Sequence, residues 1–222
     1  MAGKQVNVNV YSVKEAYVTL QGEGAQTGRA AVFLRFAGCN LWSGREQDRD
    51  HAVCQFCDTD FVGTDGEGGG KFSGADALAE HVRSVWNAGQ GRTGGTPYVI
   101  CTGGEPLLQL DEAAISALHK AGFEVGVETN GTLPAPSGID WICVSPKANS
   151  ILKQTSGHEL KLVYPQSLAP PDTFTALDFD HFFLQPMDSE KTVDNIAAAA
   201  AYCMKNPQWR LSLQTHKLIG LP

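Results

Sequence analysis

The sequence predicts an α/β fold, specifically an incomplete TIM-like barrel of about six parallel strands with few helices. Three observations support this: six apolar runs of strand length, only three segments with helical periodicity, and polar or glycine-rich residues after most of the runs. The runs are nearly continuous rather than alternating, which is typical of strands covered on both faces. So many strands with so few helices indicate a barrel from which some helices are missing.

The strands are predicted from short segments rich in β-branched and aromatic residues. Six lie at 31–38, 97–104, 123–131, 141–147, 159–164 and 182–187, and two edge strands are expected at 17–21 and 210–216. Glycine-rich stretches at 63–74 and 87–97 and a proline-punctuated stretch at 164–178 are predicted loops. We expect one domain over 1–222, with an N-terminal extension at 1–12 and an insert at 40–53.

Helical periodicity is convincing in three places. Ser73 is expected to cap the first helix, and Asp111 a shorter one that ends at Gly122. Ser189 is expected to cap a third helix. The predicted buried stripe of that helix consists of Val193, Ile196, Ala197, Ala200 and Met204. The connections at 131–140 and 148–158 are too short or too broken for a long helix.

Polar or glycine-rich residues follow five of the strands. These segments are CN (39–40), TGGEP (102–106), ETNG (128–131), SPK (145–147) and QPMD (185–188). In parallel barrels the carboxyl ends of the strands build the active site. The sequence therefore predicts a single site on one face of the barrel.

Composition and charge exclude several classes of protein. The net charge of −7 and the scattered basic residues argue against a nucleic-acid binder. No apolar run approaches the ~20 residues that span a bilayer, and the first residues lack the regions of a secretory signal. We therefore expect a cytoplasmic protein without nucleic-acid or membrane partners, whose six cysteines stay reduced.

Three of the cysteines are close in sequence, because Cys39 precedes the C-x2-C pair of Cys54 and Cys57. A single C-x2-C is half of a structural zinc site, which His51 would complete as a Cys3His set. Three thiolates with an open fourth position fit a [4Fe–4S] cluster better, since one iron stays free for another molecule. The isolated cysteines are expected to be small buried side chains: Cys101, Cys143 and Cys203.

The cysteine set and TGGEP together resemble the radical S-adenosylmethionine (SAM) superfamily. Its usual motif is C-x3-C-x2-C with an aromatic residue before the last cysteine; here Phe56 precedes Cys57, but the first gap spans 40–53. The resemblance implies the radical SAM fold, a [4Fe–4S] cluster on Cys39, Cys54 and Cys57, and SAM at the open iron. It also implies reductive cleavage of SAM to a 5′-deoxyadenosyl radical that removes hydrogen from the substrate.

A wider set of segments resembles one family of that superfamily, the 7-carboxy-7-deazaguanine synthases. The segments are TLQGEG (19–24), FLRFAGCNLW (33–42), CDTDF (57–61), TGGEPLLQ (102–109), VETNG (127–131), SPK (145–147), LQPMD (184–188) and HKLIGLP (216–222). The resemblance implies Mg²⁺-dependent conversion of 6-carboxy-5,6,7,8-tetrahydropterin to 7-carboxy-7-deazaguanine with loss of ammonia, in queuosine and other 7-deazapurine biosynthesis. It further implies a homodimer and a flavodoxin or ferredoxin as electron donor.

The resemblance also assigns site residues. The substrate-binding set is Leu20, Gln21, Gly22, Glu23, Arg35, Thr102 and Pro222. The planar fork of Arg35 suits the substrate carboxylate, and Thr59 resembles the Mg²⁺ ligand. The SAM set is Gly104, Glu105, Glu128, Asn130, Ser145, Pro146, Lys147, Gln185, Pro186, Met187 and Asp188. His216 is either a site residue or a packed core histidine, and packing is the favoured interpretation.

Two alternatives stay open at this stage. A radical SAM activase would use the same cofactor on a partner protein, but it would not need the loop TLQGEG or Arg35. A zinc-stabilised binding module would contain zinc without iron.

Overall fold

The computed structural model describes residues 9–88 and 94–222, and its strands form one nine-stranded sheet. The strands are β1 (Val10–Leu20), β2 (Ala30–Phe36), β3 (Gly70–Ser73), β4 (Tyr98–Gly103), β5 (Glu124–Thr129), β6 (Trp141–Val144), β7 (Ser156–Tyr164), β8 (Asp178–Pro186) and β9 (Trp209–Leu211). Their order across the sheet is β3-β1-β2-β4-β5-β6-β7-β8-β9. All neighbours from β2 to β9 are parallel, whereas β1 and β3 add to the sheet in antiparallel pairing. The open, parallel-dominated barrel is confirmed.

Helices are few, as predicted. They are α1 (Ala75–Ala88), α2 (Glu112–Lys120), α3 (Thr192–Lys205) and α4 (Thr215–Leu218). The connections from β5 to β6 and from β6 to β7 contain no helix, which confirms the interpretation of 131–140 and 148–158. In the described ranges, no helix is long and apolar enough to cross a bilayer.

The start and the end of α2 lie where the sequence predicts them, whereas the start of α1 does not. Asp111 caps α2, because its Oδ1 accepts a hydrogen bond from the backbone N–H of Ala114 at 2.9 Å. Gly122, with φ of 85°, follows the end of α2 as predicted. Ser73, in contrast, is the last residue of β3, so Gly74 and not Ser73 directly precedes α1.

The predicted cap and buried stripe of α3 are wrong. The cap position is Lys191 rather than Ser189, and its side chain makes no capping bond. Val193 and Met204 are each 80% exposed. Asn195 is buried instead, because its Nδ2 donates to a backbone carbonyl at the end of β8 at 2.8 Å. Alanines bury little area on any face, so the apolar pattern carried little information about the rotation of this helix.

The first part of the sheet differs most from the predicted one. β1 begins at Val10, and Tyr11 and Val13 are buried, so residues 10–12 lie in the sheet. β1 is interior rather than an edge strand, because β3 pairs with it inside the predicted loop at 63–74. β9 is an edge strand as predicted but ends at Leu211. Part of the predicted loop at 87–97 lies outside the described residues.

The two faces of the sheet have different roles. Successive strand residues point to opposite faces. In β2, Val32 and Leu34 pack in the core cluster with α1 and α2, whereas Arg35 lines the cavity on the other face. In β7, Leu160 belongs to a second core cluster, whereas Lys161 lines the cavity. The curved sheet therefore has an apolar helix-covered outside and a polar inside.

Candidate active site

The inside of the sheet encloses a cavity of about 560 Å³. The structure brings most of the predicted site residues to its wall. They are Leu20, Gln21, Glu23, Arg35, Cys54, Cys57, Thr59, Thr102, Gly104, Glu128, Asn130, Ser145, Lys147, Gln185, Pro186, Met187, Asp188 and Pro222. The predicted convergence of strand ends therefore forms one wall of a single cavity.

Four predicted residues lie behind this wall, namely Gly22, Cys39, Glu105 and Pro146. Gly22 is covered by the imidazole of His216, which occupies the space where a Cβ atom would lie. Pro146 and Glu105 are buried. For Gly22, Glu105 and Pro146 the structure supports a role in shaping the wall, whereas Cys39 is only half-buried beside it.

The insert at 40–53 loops out and returns to its starting point. The backbone N–H groups of Val53 and Cys54 donate to the carbonyl of Leu41 at 3.0 and 3.4 Å. Between them, residues 46–51 form a 3-10 turn. Arg49 Nη1 donates to the carbonyls of Gln55 and Cys57 at 2.9 and 3.0 Å, so the insert itself holds the C-x2-C segment.

The three thiols of the cysteine loop do not form the close set of ligands that one zinc ion requires. Tetrahedral zinc places its sulfur ligands about 3.8 Å apart, as a Zn–S bond of about 2.3 Å requires. Among the described residues, the one set of three potential ligands within 4.8 Å of one another is Glu128, Cys143 and Glu159, not the thiols of the cysteine loop. Desolvation raises the pKa of Cys39 and Cys54. A buried metal cluster that binds their thiolates would offset this cost.

Glycine at position 104 is required by packing. A Cβ atom there would overlap the carbonyl oxygen of Gly38 and lie 2.6 Å from Cys39 Cβ. The backbone N–H of Glu105 donates to the same Gly38 carbonyl at 2.9 Å. The TGGEP turn therefore packs directly on the cysteine loop, and the glycine serves this approach as well as any approach to a ligand.

The Glu105 carboxylate joins the ends of β4 and β5. It accepts hydrogen bonds from Thr129 Oγ1 at 2.7 Å and from the backbone N–H groups of Asn130 and Leu107 at 2.8 and 3.0 Å. It is fully buried, and desolvation raises its pKa despite these bonds. The sequence assigned Glu105 to SAM, whereas the structure uses its oxygens within the protein.

A row of three polar residues crosses β1, β2 and β4 at the wall of the cavity. Arg35 lies opposite Glu15 in β1 and opposite Thr102 in β4. Its Nε donates to Glu15 Oε1 at 2.7 Å, and its side chain is 15% exposed. Desolvation lowers the pKa of Arg35, but Glu15 and Tyr17 together more than offset this effect, so the guanidinium stays charged. A fixed cation on the cavity wall is suited to an anionic ligand.

Lys161 lines the cavity, although none of the motifs predicted it. Its Nζ lies 2.6 Å from Glu23 Oε2 and 2.6 Å from Glu128 Oε2. Gln21 Nε2 donates to the other oxygen of Glu128 at 2.9 Å. Glu128, assigned by resemblance to SAM, therefore contacts the predicted substrate residues. The alternation of Glu159 and Lys161 with leucines in ELKLVY was the sequence signal for this group.

The C-terminal segment at 214–222 covers the cavity. Thr215 donates to the carbonyl of Gly22 from its backbone N–H and its Oγ1, both at 2.9 Å. Thr19 Oγ1 donates to the Pro222 carbonyl at 3.1 Å. Of the two interpretations of His216, the structure favours the one in the site, because the residue is half-buried and lines the cavity. Desolvation lowers its pKa.

Side-chain oxygens that are suited to binding a cation lie close together at Asp58, Thr59 and Asp60. Thr59 Oγ1 lies 3.5 Å from Asp58 Oδ1, and all three residues line the cavity. Asp60 is held by Lys14, whose Nζ lies 2.9 Å away. Hydroxyl and carboxylate oxygens are the groups that Mg²⁺ prefers.

The chain is similar in sequence and in structure to known enzymes. The chain is 64% identical over 212 residues to the 7-carboxy-7-deazaguanine synthase of Caulobacter vibrioides, covering 96% of this chain and 99% of that protein. It is 62% identical over 212 residues to the 7-carboxy-7-deazaguanine synthase of Bordetella pertussis, covering 96% of this chain and 99% of that protein. The crystal structure of QueE from Escherichia coli aligns with a TM-score of 0.66 at 25% identity, covering 92% of this chain and 93% of that one. No family model matches the chain.

Proposed function

The chain belongs to the 7-carboxy-7-deazaguanine synthase family of radical SAM enzymes, and on that premise we propose that it forms 7-carboxy-7-deazaguanine from 6-carboxy-5,6,7,8-tetrahydropterin with loss of ammonia. One observation carries the proposal. A single cavity is lined by cysteine thiols, by strand ends of radical SAM type, and by a cation and a carboxylate pair that suit a carboxylated pterin.

We propose that Cys39, Cys54 and Cys57 hold the [4Fe–4S] cluster. The strand-end residues Ser145, Lys147 and Gln185 to Asp188 line the adjoining wall, where SAM would bind. When bound, the cluster and SAM supply the 5′-deoxyadenosyl radical for hydrogen abstraction. The chain contributes orientation and the exclusion of water, since the C-terminal segment covers the cavity.

The substrate would be held at both ends. Arg35 supplies a charged donor for the substrate carboxylate, and its bond to Glu15 sets the orientation of the guanidinium. At the other end, Gln21 and the carboxylates of Glu23 and Glu128 accept hydrogen bonds from N–H groups of the ring. Mg²⁺ on Thr59 would neutralise the substrate carboxylate and stabilise charge during ring contraction.

The remaining partners follow from the same proposal. The family resemblance supports a homodimer and a flavodoxin or ferredoxin as electron donor in the queuosine pathway. A cluster held by cysteines needs reduced thiols, which supports the cytoplasm as the compartment. A covered cavity of about 560 Å³ suits a small molecule, which argues against the activase alternative.

The proposal is tested by identifying the product of the reconstituted reaction. The protein is reconstituted anaerobically with iron and sulfide and supplied with reductant, SAM, Mg²⁺ and the carboxylated tetrahydropterin. We expect 5′-deoxyadenosine, ammonia and a compound with the mass of 7-carboxy-7-deazaguanine. Cleavage of SAM by a fully loaded cluster without that mass would refute the assignment of the substrate, and zinc without iron would refute the assignment of the class.

A further inference from the structure

We propose that Lys161 is a positioning residue for the substrate, whose ammonium group fixes the carboxylates of Glu23 and Glu128 as one acceptor site for the N–H edge of the pterin ring. This inference rests on the function proposed above. It adds a residue on β7, which none of the motifs includes.

The geometry around Lys161 is that of a bridge. Its Nζ lies 2.6 Å from one oxygen of Glu23 and 2.6 Å from one oxygen of Glu128. Lys161 is 5% exposed in its side chain, while Glu23 and Glu128 are 18% and 19% exposed and line the cavity. The ammonium therefore holds the inner oxygens, and the carboxylates present their remaining accepting capacity toward the cavity.

The bridge also joins distant parts of the sheet. Glu23 follows β1, whereas Lys161 lies on β7, five places away in strand order. The same crossing is made two residues earlier on β7, where Glu159 Oε2 accepts a hydrogen bond from the backbone N–H of Ala25 at 2.8 Å. β7 therefore anchors the loop at 21–26 over the inside of the open barrel. The backbone of the loop is also held by Ser212 and Thr215, but Lys161 is the residue that ion-pairs with the Glu23 carboxylate.

The charge balance explains why this bridge must be cationic. The titratable groups around Lys161 are Glu23, Glu128, Glu159, Cys143 and His216. Desolvation would lower the pKa of Lys161, but the neighbouring acidic groups, Cys143, Glu128, Glu23 and Glu159, raise it well above its usual value. Desolvation would equally raise the pKa of Glu23, but Lys161 lowers it below its usual value. Removal of the ammonium would leave Glu23 without its main cationic partner, and the burial that raises its pKa would then favour the protonated carboxyl.

A proton on Glu23 would oppose substrate recognition. The amino and amide edge of a pterin presents N–H donors, which pair with ionised carboxylates and not with a protonated carboxyl hydrogen. Ligand binding to a site of this kind is sensitive to a single unmatched donor or acceptor. Lys161 thus acts on the substrate through the two carboxylates and does not need to touch it.

The test compares substrate binding by Lys161→Met and Lys161→Arg with the wild type and with Lys71→Met. Lys71 lies on the exposed edge strand β3 and serves as the matched control. Calorimetry measures binding of the carboxylated tetrahydropterin to the reconstituted protein with SAM under anaerobic conditions. We expect Lys161→Met to raise the Kd about tenfold or more. Lys161→Arg should restore much of the affinity because it keeps the charge.

The pH profile separates positioning from a general structural effect. For wild type the Kd should change little between pH 6.5 and 8.5, a range of about two units around neutrality. For Lys161→Met the Kd should fall as pH rises, because Glu23 then loses the proton that it takes up when the ammonium is absent. Cleavage of SAM in the absence of pterin should match the wild type. A tenfold loss without this pH dependence would refute the positioning role.

Folding is monitored by the thermal transition of each variant. If Lys161→Met loses the native transition, Lys161→Gln takes its place, because glutamine keeps a donor while removing the charge. An unchanged Kd in either variant would overturn the inference, provided that the wild type makes the product. Failure of the wild type to make the product would instead refute the proposed function.

Discussion

The Nζ of Lys217 lies 3.0 Å from Oδ2 of Asp58, so the C-terminal helix is ion-paired with the loop that carries the predicted cluster cysteines. The same ammonium lies 2.5 Å from Oδ2 of Asp188, at the end of β8. Desolvation would lower the pKa of Lys217, but the bonds to Asp188 and Asp58 raise it. One lysine therefore connects the cover of the cavity with two of its walls.

Replacing Lys217 with methionine should loosen the cover without unfolding the protein. These ion pairs are more than a third exposed, so we expect a loss of at most about 1 kcal/mol in the free energy of unfolding. Limited proteolysis within 214–222 should become several-fold faster. Lys205→Met, at the exposed end of α3, is the control. Equal proteolysis of both variants would show that the ion pairs do not hold the segment.

Cys57→Ala should abolish cluster retention and product formation together, because two thiolates do not hold a [4Fe–4S] cluster stably. Iron content and visible absorbance after reconstitution measure the first effect, and product mass the second. Cys203→Ala, on the half-exposed side of α3, is the matched control and should bind iron like the wild type. A Cys57→Ala protein with full iron content would contradict the ligand assignment.

Thr59→Ala should weaken the dependence of the rate on Mg²⁺ while leaving the cluster intact. The removed hydroxyl is the proposed Mg²⁺ ligand, and it lies on the cavity wall beside Asp58. Product formation is measured against Mg²⁺ concentration, with Thr175→Ala as the control, since the Thr175 hydroxyl donates to the Asp172 carbonyl away from the cavity. If both variants follow the wild-type curve, the assignment of the metal ligand is wrong.

Arg35→Lys should reduce substrate use although the charge is kept. Lysine has no planar fork, so it cannot donate at once to Glu15 and to a substrate carboxylate in the same geometry. We expect KM for the pterin to rise about tenfold or more, which is the size of one lost charged hydrogen bond. Cleavage of SAM without substrate should persist. An unchanged KM would remove Arg35 from the substrate site.

Gly104→Ala should destabilise the protein and lower cluster retention. The added Cβ would overlap the Gly38 carbonyl and crowd Cys39, and such overpacking costs about 1–3 kcal/mol. Gly70→Ala is the matched control, because its nearest neighbour is the edge of Phe72 at 3.4 Å, an ordinary contact. Thermal unfolding and iron content are the measurements. Equal effects of the two substitutions would refute the packing argument.

Local patterns predicted those elements that depend on local chemistry. The cap at Asp111 and the end at Gly122 follow from hydrogen bonds and backbone conformations within a few residues. The strand-end motifs were also predictable, because parallel strands bring their carboxyl ends to one side wherever the strands occur in sequence. The rotation of α3 was not predictable from its apolar pattern, because it depends on the hydrogen bond of Asn195 to the backbone carbonyl of Met187, outside the helix.

The sequence by itself determined the fold class, the family and the residue types of the site. The reason is that runs of apolar residues, the polar motifs at the ends of strands and the spacing of the cysteines are all properties of short segments. Only the tertiary structure decided which of those residues reach the cavity. It placed Glu105 between two strand ends, moved His216 to the cavity wall, and joined Glu23 to Lys161 across five strand positions. The physical reason is the curvature of the sheet, which brings charges from distant segments into a pocket where desolvation makes their pairing obligatory.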